Sequence, residues 1–496
     1  MEGLADPGGI CISGSAYEQI ENKLALGYDY IGEHTVKNIV KPIRVYRVPT
    51  GPETLQKVTA ERRPSPGWQR AAFAVMIALV VVAGGVAIWK SSQPPPMEVA
   101  SVEKMAFPLP DKPSIAVLPF DNLSGDPKQE YLSDGISEEI ISALSSVPKL
   151  FVIARNSTFT YKGKPVKVQQ VSEELGVRYV LEGSVKKSGD KIRITAQLVD
   201  ALNGHHLWAK RYDRNLDDIF AVQDEITKKI ITAMQVKLTE GEQARAAARG
   251  TDNLEAYLKC LQANEYLHRG NIENNALAKK LAEEAIALDP EYAWAYYNLG
   301  RARQSDVWYG TSKSPKQVLA EATELLQKAI VLDDNLAEAH GLLGFIYSVE
   351  RRHDKAFAQG KKAVALNPNS AMAHLWLGKV FTFASRWEES IPEYKIAIRL
   401  NPIPPSYYLW SLGLSYGATG QYDEAIAWCE KAVHMDPDSL MARIMMTAVY
   451  SWSGRDEEAR AEAAEVLRIN PDFSLERFAK KAGSNLVSAL RKAGLK

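Results

Sequence analysis

Hydrophobic and polar positions follow several different rhythms along the chain. From residue 254 to 473 apolar side chains recur every three or four positions, the spacing of helices that each bury one face. A longer period of about 34 residues lies on top of it. Gly344, Gly378 and Gly413 each follow a leucine (Leu343, Leu377, Leu412) and precede an aromatic side chain (Tyr347, Phe381, Tyr416). Each is followed at one spacing by Ala363, Ala397 or Ala432, and then by Pro368, Pro402 or Pro437. A fourth copy keeps Met446, Tyr450, Ala459, Ile469 and Pro471 but has Thr447 and Val466 at the small-residue positions. The small residues let paired helices approach, and the prolines end each second helix. Tyr297, Leu299, Gly300, Ala322 and Ala329 outline an earlier unit with about ten extra residues, Ser305 to Ser314, between its helices. Ala278, Ala282, Ala285 and Pro290 outline another, led by Ala256 to Leu267. The pattern predicts six helical pairs over 254–473 and a capping helix within 474–496, running from Leu475 to about Leu490 and carrying Arg477, Lys480, Lys481, Arg491 and Lys492.

Other rhythms precede the repeats. Ala71 to Trp89 carries no charge and is bracketed by Arg70 and Lys90. At about 1.5 Å per residue it is long enough to cross a bilayer, so residues 71–89 are expected to form a single transmembrane helix contacting lipid. Lys57, Arg62, Arg63 and Arg70, in the basic linker 51–70, outnumber Lys90 and Lys104 beyond it. This bias predicts a cytoplasmic amino terminus with 91–496 in the periplasm of a bacterial inner membrane. Ala74, Ala78, Gly84 and Gly85 offer a small-residue face for helix pairing, hence a homodimer. Pro94 to Pro96 and Pro108 to Pro113 stiffen a linker over 90–112. Residues 113–238 then alternate strand and helix periods in the order βαβαβββα, with a hairpin turn at Lys187 to Asp190, and 239–253 link to the array. In residues 1–50, Ile10–Ser13 and Gly32–Val48 read as strands and Ala16–Leu26 as a helix.

Composition narrows the function classes. Lys plus Arg and Asp plus Glu are 60 each, so the chain lacks the basic excess of a nucleic-acid binder. Cys11, Cys260 and Cys429 have neither zinc nor disulfide spacing, and Cys429 falls at a helix-packing position. His205 and His206 read as an exposed turn, and Glu138, Glu139, Asp217 and Asp218 as charged helix starts favoured by the dipole. Gly413 to Gly417 matches G-x-S-x-G inside a helix, where no nucleophile elbow forms. No phosphate loop, metal motif or catalytic constellation appears, so no catalytic residue, metal or cofactor is assigned.

Three resemblances rest on these residues. The 254–473 pattern resembles tetratricopeptide repeats. Ile115 to Phe120, Val177 to Gly183 and Ile194 to Leu198 resemble the amino-terminal domain of TolB, which implies a role in partner contact or assembly. Glu2 to Ala5, Gly8 to Ser13, Gly32, Val36 to Ile39 and Pro42 to Val48 resemble the carboxy-terminal end of a class III nucleotide cyclase domain. In that family the metal-binding aspartates, the purine-recognising lysine and the transition-state Asn and Arg lie upstream of the matched stretch. The resemblance therefore implies a cyclase remnant without turnover. Its alternative is a truncated or late-start adenylate cyclase, converting ATP to cyclic AMP, whose outer domains regulate signalling.

The fold class expected is multidomain α+β: a single transmembrane helix, a small α/β TolB-like domain and an all-α repeat solenoid. The repeat resemblance also implies a peptide-binding groove on the first helices, lined by Phe345, Met372, Leu375, Lys379, Phe383, Tyr407, Trp410, Leu414, Met441, Ile444 and Trp452. This apolar and aromatic lining suits an extended peptide or amphipathic helix. The function expected is a membrane-anchored protein-binding scaffold for signal transduction.

Overall fold

The computed structural model describes residues 10–21, 27–35, 42–48, 99–239, 250–479 and 483–496. It divides into two compact units, Met1–Pro96 and Met97–Lys496. In the first, β1 (Ile10–Ser13), β2 (Asp29–His34) and β3 (Ile43–Val48) form an antiparallel sheet in the order β1-β3-β2. Helix α1 (Gly14–Ile20) is capped by the Ser13 hydroxyl, which accepts from the Ala16 amide. Its Tyr17 stacks on Tyr46 with ring centroids 4.0 Å apart. The stretches 2–5 and 36–41, part of the cyclase-like pattern, lie outside the described residues.

The second unit begins with an α/β layer. Strands β4 (Ser114–Val117), β5 (Asp121–Asn122), β6 (Phe151–Val152), β7 (Tyr179–Ser188), β8 (Lys191–Asp200) and β9 (His205–Asn215) form one sheet, ordered β6-β4-β7-β8-β9 with β5 also on β7. β4, β5 and β6 pair in parallel, whereas β7, β8 and β9 form an antiparallel meander. Side chains of β4 alternate between two apolar layers. Ile115 and Val117 face α2 (Glu130–Ser145) and α5 (Ile219–Ala233), while Ala116 packs with α4 (Val168–Leu175). A strand covered on both faces reads as an unbroken apolar run, as this one does. Gly189, at φ 58°, supplies the left-handed residue of the β7–β8 turn. Arg155–Thr158 forms a single helical turn, α3. His205 and His206, expected in a turn, are the exposed first residues of β9.

Six helical hairpins follow: α6 (Leu254–Arg269) with α7 (Ile272–Leu288), α8 (Ala293–Trp308) with α9 (Pro315–Leu332), α10 (Ala337–Val349) with α11 (His353–Leu366), α12 (Ala371–Phe383) with α13 (Trp387–Leu400), α14 (Ser406–Ala418) with α15 (Tyr422–Met435), and α16 (Leu440–Trp452) with α17 (Asp456–Ile469). The last four turns share one conformation. Arg351, Ser385, Gly420 and Gly454 are left-handed, and the next amide donates back to Tyr347, Phe381, Tyr416 or Tyr450 at 2.9 Å. Each bond satisfies a carbonyl that the helix end leaves open. The repeating small residues sit where helices touch: a Cβ on Gly413 would stand 2.5 Å from Cys429 Sγ, and one on Gly378 2.7 Å from the Tyr394 ring. A Cβ on Gly344 would stand 3.0 Å from the Gly360 amide nitrogen. Ala363, Ala397 and Ala432 are fully buried, and Pro368, Pro402, Pro437 and Pro471 follow the second helices. Two short helices, α18 (Leu475–Ala479) and α19 (Ser484–Lys492), replace the single capping helix expected, and Leu490 and Leu495 anchor the end in the core.

The array and the α/β layer share a core. Tyr257 and Leu261 of α6 belong to the apolar cluster of α2 and α5. A Cβ on Gly135 would stand 2.6 Å from Leu261 Cδ1, so the α2–α6 approach depends on glycine. Farther along, Asn369 donates to the carbonyls of Ser145 and Val147 at 3.1 and 3.0 Å. Ser157 donates to Asn401 Oδ1 at 2.6 Å, and Arg399 donates to the carbonyls of Gly176 and Pro108.

The expected membrane-spanning helix, and with it the single-pass inner-membrane location, is corrected. Among the described residues no helix is long and apolar enough to cross a membrane. Residues 71–89 lie outside the described residues. Even the 18-residue α9 interrupts its apolar positions with Lys316, Glu321, Glu324 and Lys328, because only one of its faces is buried.

Candidate functional site

The first helices of successive hairpins lie side by side: α10 touches α12, α12 touches α14, and α14 touches α16. Met372, Leu375, Lys379 and Phe383 recur at three- and four-residue spacing, so α12 presents them along one stripe. At the centre stands Phe345 of α10, only 2% exposed. Trp376 stacks on it at 4.8 Å, and Trp308 and Phe383 meet it edge-on at 5.4 and 6.0 Å. Trp308 is 54% exposed and Phe383 44%, so two large apolar rings face solvent over a buried third. Exposed apolar patches of this kind mark interaction surfaces.

Lys379 is enclosed by the same rings. Its Nζ lies 5.3 Å from the Phe345 centroid and 5.2 Å from those of Trp376 and Tyr407. Among the described residues no carboxylate forms an ion pair with it, and burial pulls its pKa down to about 8. The negative ring faces stabilise the ammonium in place of a counter-ion.

The remaining groove positions fall farther along the array. Tyr407, Trp410, Met372, Met441 and Trp452 are half-buried against the core of the last three hairpins, whereas Leu375, Leu414 and Ile444 lie within that core. Thus Phe345, Lys379, Phe383 and Tyr407 converge on one patch, and the others line or support its continuation. Trp376 and Trp308 belong to the patch but were not expected there. Trp376 is a helix neighbour of Leu375, and Trp308 ends α8 within the stretch Ser305 to Ser314 expected as an insertion, a place where the repeat period gives no position to assign.

Charged residues gather instead where α2 meets the array. Glu138 and Glu139, expected at a helix start, lie in the middle of α2. Glu138 accepts from His268 Nε2 at 3.1 Å and pairs with Arg155 Nε at 3.0 Å. Burial opposes its ionisation, but His268 and Arg155 outweigh it and hold the carboxyl well below its ordinary range. Burial, followed by Arg155, draws His268 down to about 4, which leaves a neutral imidazole at physiological pH. Glu139 and Glu338 are both pushed up to about 7, chiefly by burial and then by neighbouring groups that include Glu138.

Comparison with known proteins gives three kinds of match. Residues 377–439 and 418–480 match models of the tetratricopeptide repeat, and the chain carries such repeats. Residues 111–229 match the second domain of HilA/YgeH-like transcriptional regulators. Over 356 residues the chain is 39% identical to a protein of Rhizobium meliloti (strain 1021) named putative adenylate cyclase 3, covering 72% of this chain and 54% of that protein. The chain thus spans about half the length of the curated relative it matches. Among solved structures, YrrB, described as a TPR protein with an unusual peptide-binding site, is 22% identical with a TM-score of 0.29, covering 40% of this chain and 98% of its own. PilF of Pseudomonas aeruginosa is 18% identical with a TM-score of 0.35, covering 46% and 98%. MamA is 27% identical with a TM-score of 0.28, covering 34% and 95%.

Proposed function

We propose that the chain is a protein-binding scaffold, with an extended or helical peptide segment of a partner seated over Phe345 on the first helices of the array. The observation that carries this reading is the pair of exposed rings, Trp308 and Phe383, held edge-on to a buried third. Rigid aromatic anchors of this kind dominate binding energy when a partner covers them. Lys379 adds a desolvated cation that meets a carboxylate or backbone carbonyl of the segment. The resemblance of 113–238 to the TolB amino-terminal domain supports a part in assembly for the α/β layer, and no catalytic role is assigned to the chain.

The test uses peptides selected from a display library on the immobilised full chain. Their affinity should fall at least tenfold on Trp308→Ala/Phe383→Ser, with the melting temperature preserved. Selected peptides that bind this variant as tightly as the wild type would contradict the reading.

A second reading, regulation of an adenylate cyclase by the array, is favoured by the name of the Rhizobium meliloti relative. Purified chain incubated with ATP and magnesium separates the two: cyclic AMP production supports the second reading, and none is expected from a scaffold.

A further inference from the structure

Helices α2, α5, α6 and the turn into α8 enclose a cavity of about 60 Å³ on the seam between the α/β layer and the array. Four aromatic rings wall it: Phe220, Tyr257, Tyr292 and Trp294. Phe220 and Tyr257 meet edge to face at 4.8 Å, and Tyr257 and Tyr292 are each 3% exposed. Glu139, Asp224 and Thr227 supply oxygen atoms to the lining. Thr227 is 4% exposed, yet its hydroxyl has no hydrogen-bond partner among the described residues. Glu139 likewise has no cationic partner there; the charged groups that act on it, Glu138 and Glu338, are both carboxylates. A half-buried carboxylate without a cation loses part of its hydration, and the Thr227 hydroxyl is open to a partner inside the cavity.

We propose that this cavity binds the ammonium head of a small alkylamine, with its N–H groups donated to Glu139 and Thr227 Oγ1 and its charge enclosed by the rings. The volume is about that of two water molecules, which suits a head group and excludes a bulky ligand. Glu139 and Thr227 come from the α/β layer, while Tyr257, Tyr292 and Trp294 come from the array, so the bound cation spans both. Occupancy therefore strengthens the seam, a consequence that goes beyond the groove and is independent of it.

The experiment is isothermal calorimetry on the full chain at pH 8 with methylammonium, n-butylammonium and N-acetyl-lysine methylamide, each against matched sodium chloride. Saturable binding of at least one amine is expected, accompanied by a rise in melting temperature. Affinity should drop at least tenfold in Glu139→Gln and several-fold in Thr227→Val, and it should be unchanged in Trp308→Ala/Phe383→Ser. Tighter binding of n-butylammonium identifies a free amine as the ligand, and tighter binding of the lysine amide identifies a side chain of a partner; either supports the proposal. No saturable heat with any amine, equal binding to Glu139→Gln, or an equal response to sodium would overturn it.

Discussion

The groove and the seam bury opposite charges under similar aromatic cover. In the groove one ammonium, Lys379, sits among rings with no carboxylate partner among the described residues. At the seam the imbalance is reversed: Glu139 and Glu338 lie near Glu138, whose cationic partner Arg155 and neutral hydrogen-bond partner His268 serve Glu138 itself. The backbone geometry differs as well. The groove lies on first helices that repeat one another, while the seam joins residues far apart in sequence, such as Asn369 with Ser145. A local period builds the first, and long-range packing builds the second. Disruption at the seam should therefore affect stability most, and changes in the groove should affect recognition.

The largest effect is expected at the shared core. Leu261→Ala removes a buried side chain that packs on Gly135 and should cost about 3 kcal/mol in urea denaturation. A loss under about 0.5 kcal/mol would mean that α6 does not share the α/β core. Next, Asn369→Ala removes the side-chain donor of the Ser145 carbonyl, while the Val147 carbonyl keeps the Leu150 amide, and should cost about 1–2 kcal/mol.

Glu139 gives a pH-dependent test of the seam. Its carboxyl is raised from 4.5 unfolded to about 7 folded. The folded state thus holds a proton that the unfolded chain has lost, and stability falls as pH rises through that window. Glu139→Gln should raise stability by about 1–2 kcal/mol at pH 8 and leave it unchanged near pH 4.5. An equal gain at both pH values would contradict the assignment.

Lys379 carries the opposite sign. Its pKa falls from 10.5 to about 8, so Lys379→Met should add about 1 kcal/mol at pH 7, and the gain should fade as pH climbs through 8 towards 10.5. The attraction between the ammonium and the ring faces, absent in the methionine variant, offsets part of that gain. The smallest effect belongs to Trp308→Ala/Phe383→Ser, which should change stability by less than about 1 kcal/mol because both rings are about half exposed.

The legibility of the chain divides along the same line. The hairpins could be read because each repeats one local rule: a small residue such as Gly413 faces Cys429, and a proline such as Pro437 follows. Phe345, Lys379 and Tyr407 were reachable for the same reason, since equivalent positions on stacked first helices come together. The aromatic box was only partly legible. Trp376 lies beside the expected stripe, and Trp308 falls within the insertion that breaks the period. The seam left no local signal. Tyr257 and Leu261 look like ordinary repeat packing residues, and Glu138 and Glu139 look like solvated charges until α6 and α10 are folded beside them. The charge-free stretch 71–89 shows the converse: its apolar length and bracketing charges drew an expectation of a membrane span, it lies outside the described residues, and no described helix meets that expectation.

Hydrogen–deuterium exchange on the full chain, with and without a display-selected peptide, tests most directly whether the aromatic face is the binding surface. The account predicts slowed exchange in the amides of α10, α12 and the end of α8, with α2 and α6 unchanged. Protection confined to α2 and α6, with none in α10 and α12, would contradict it.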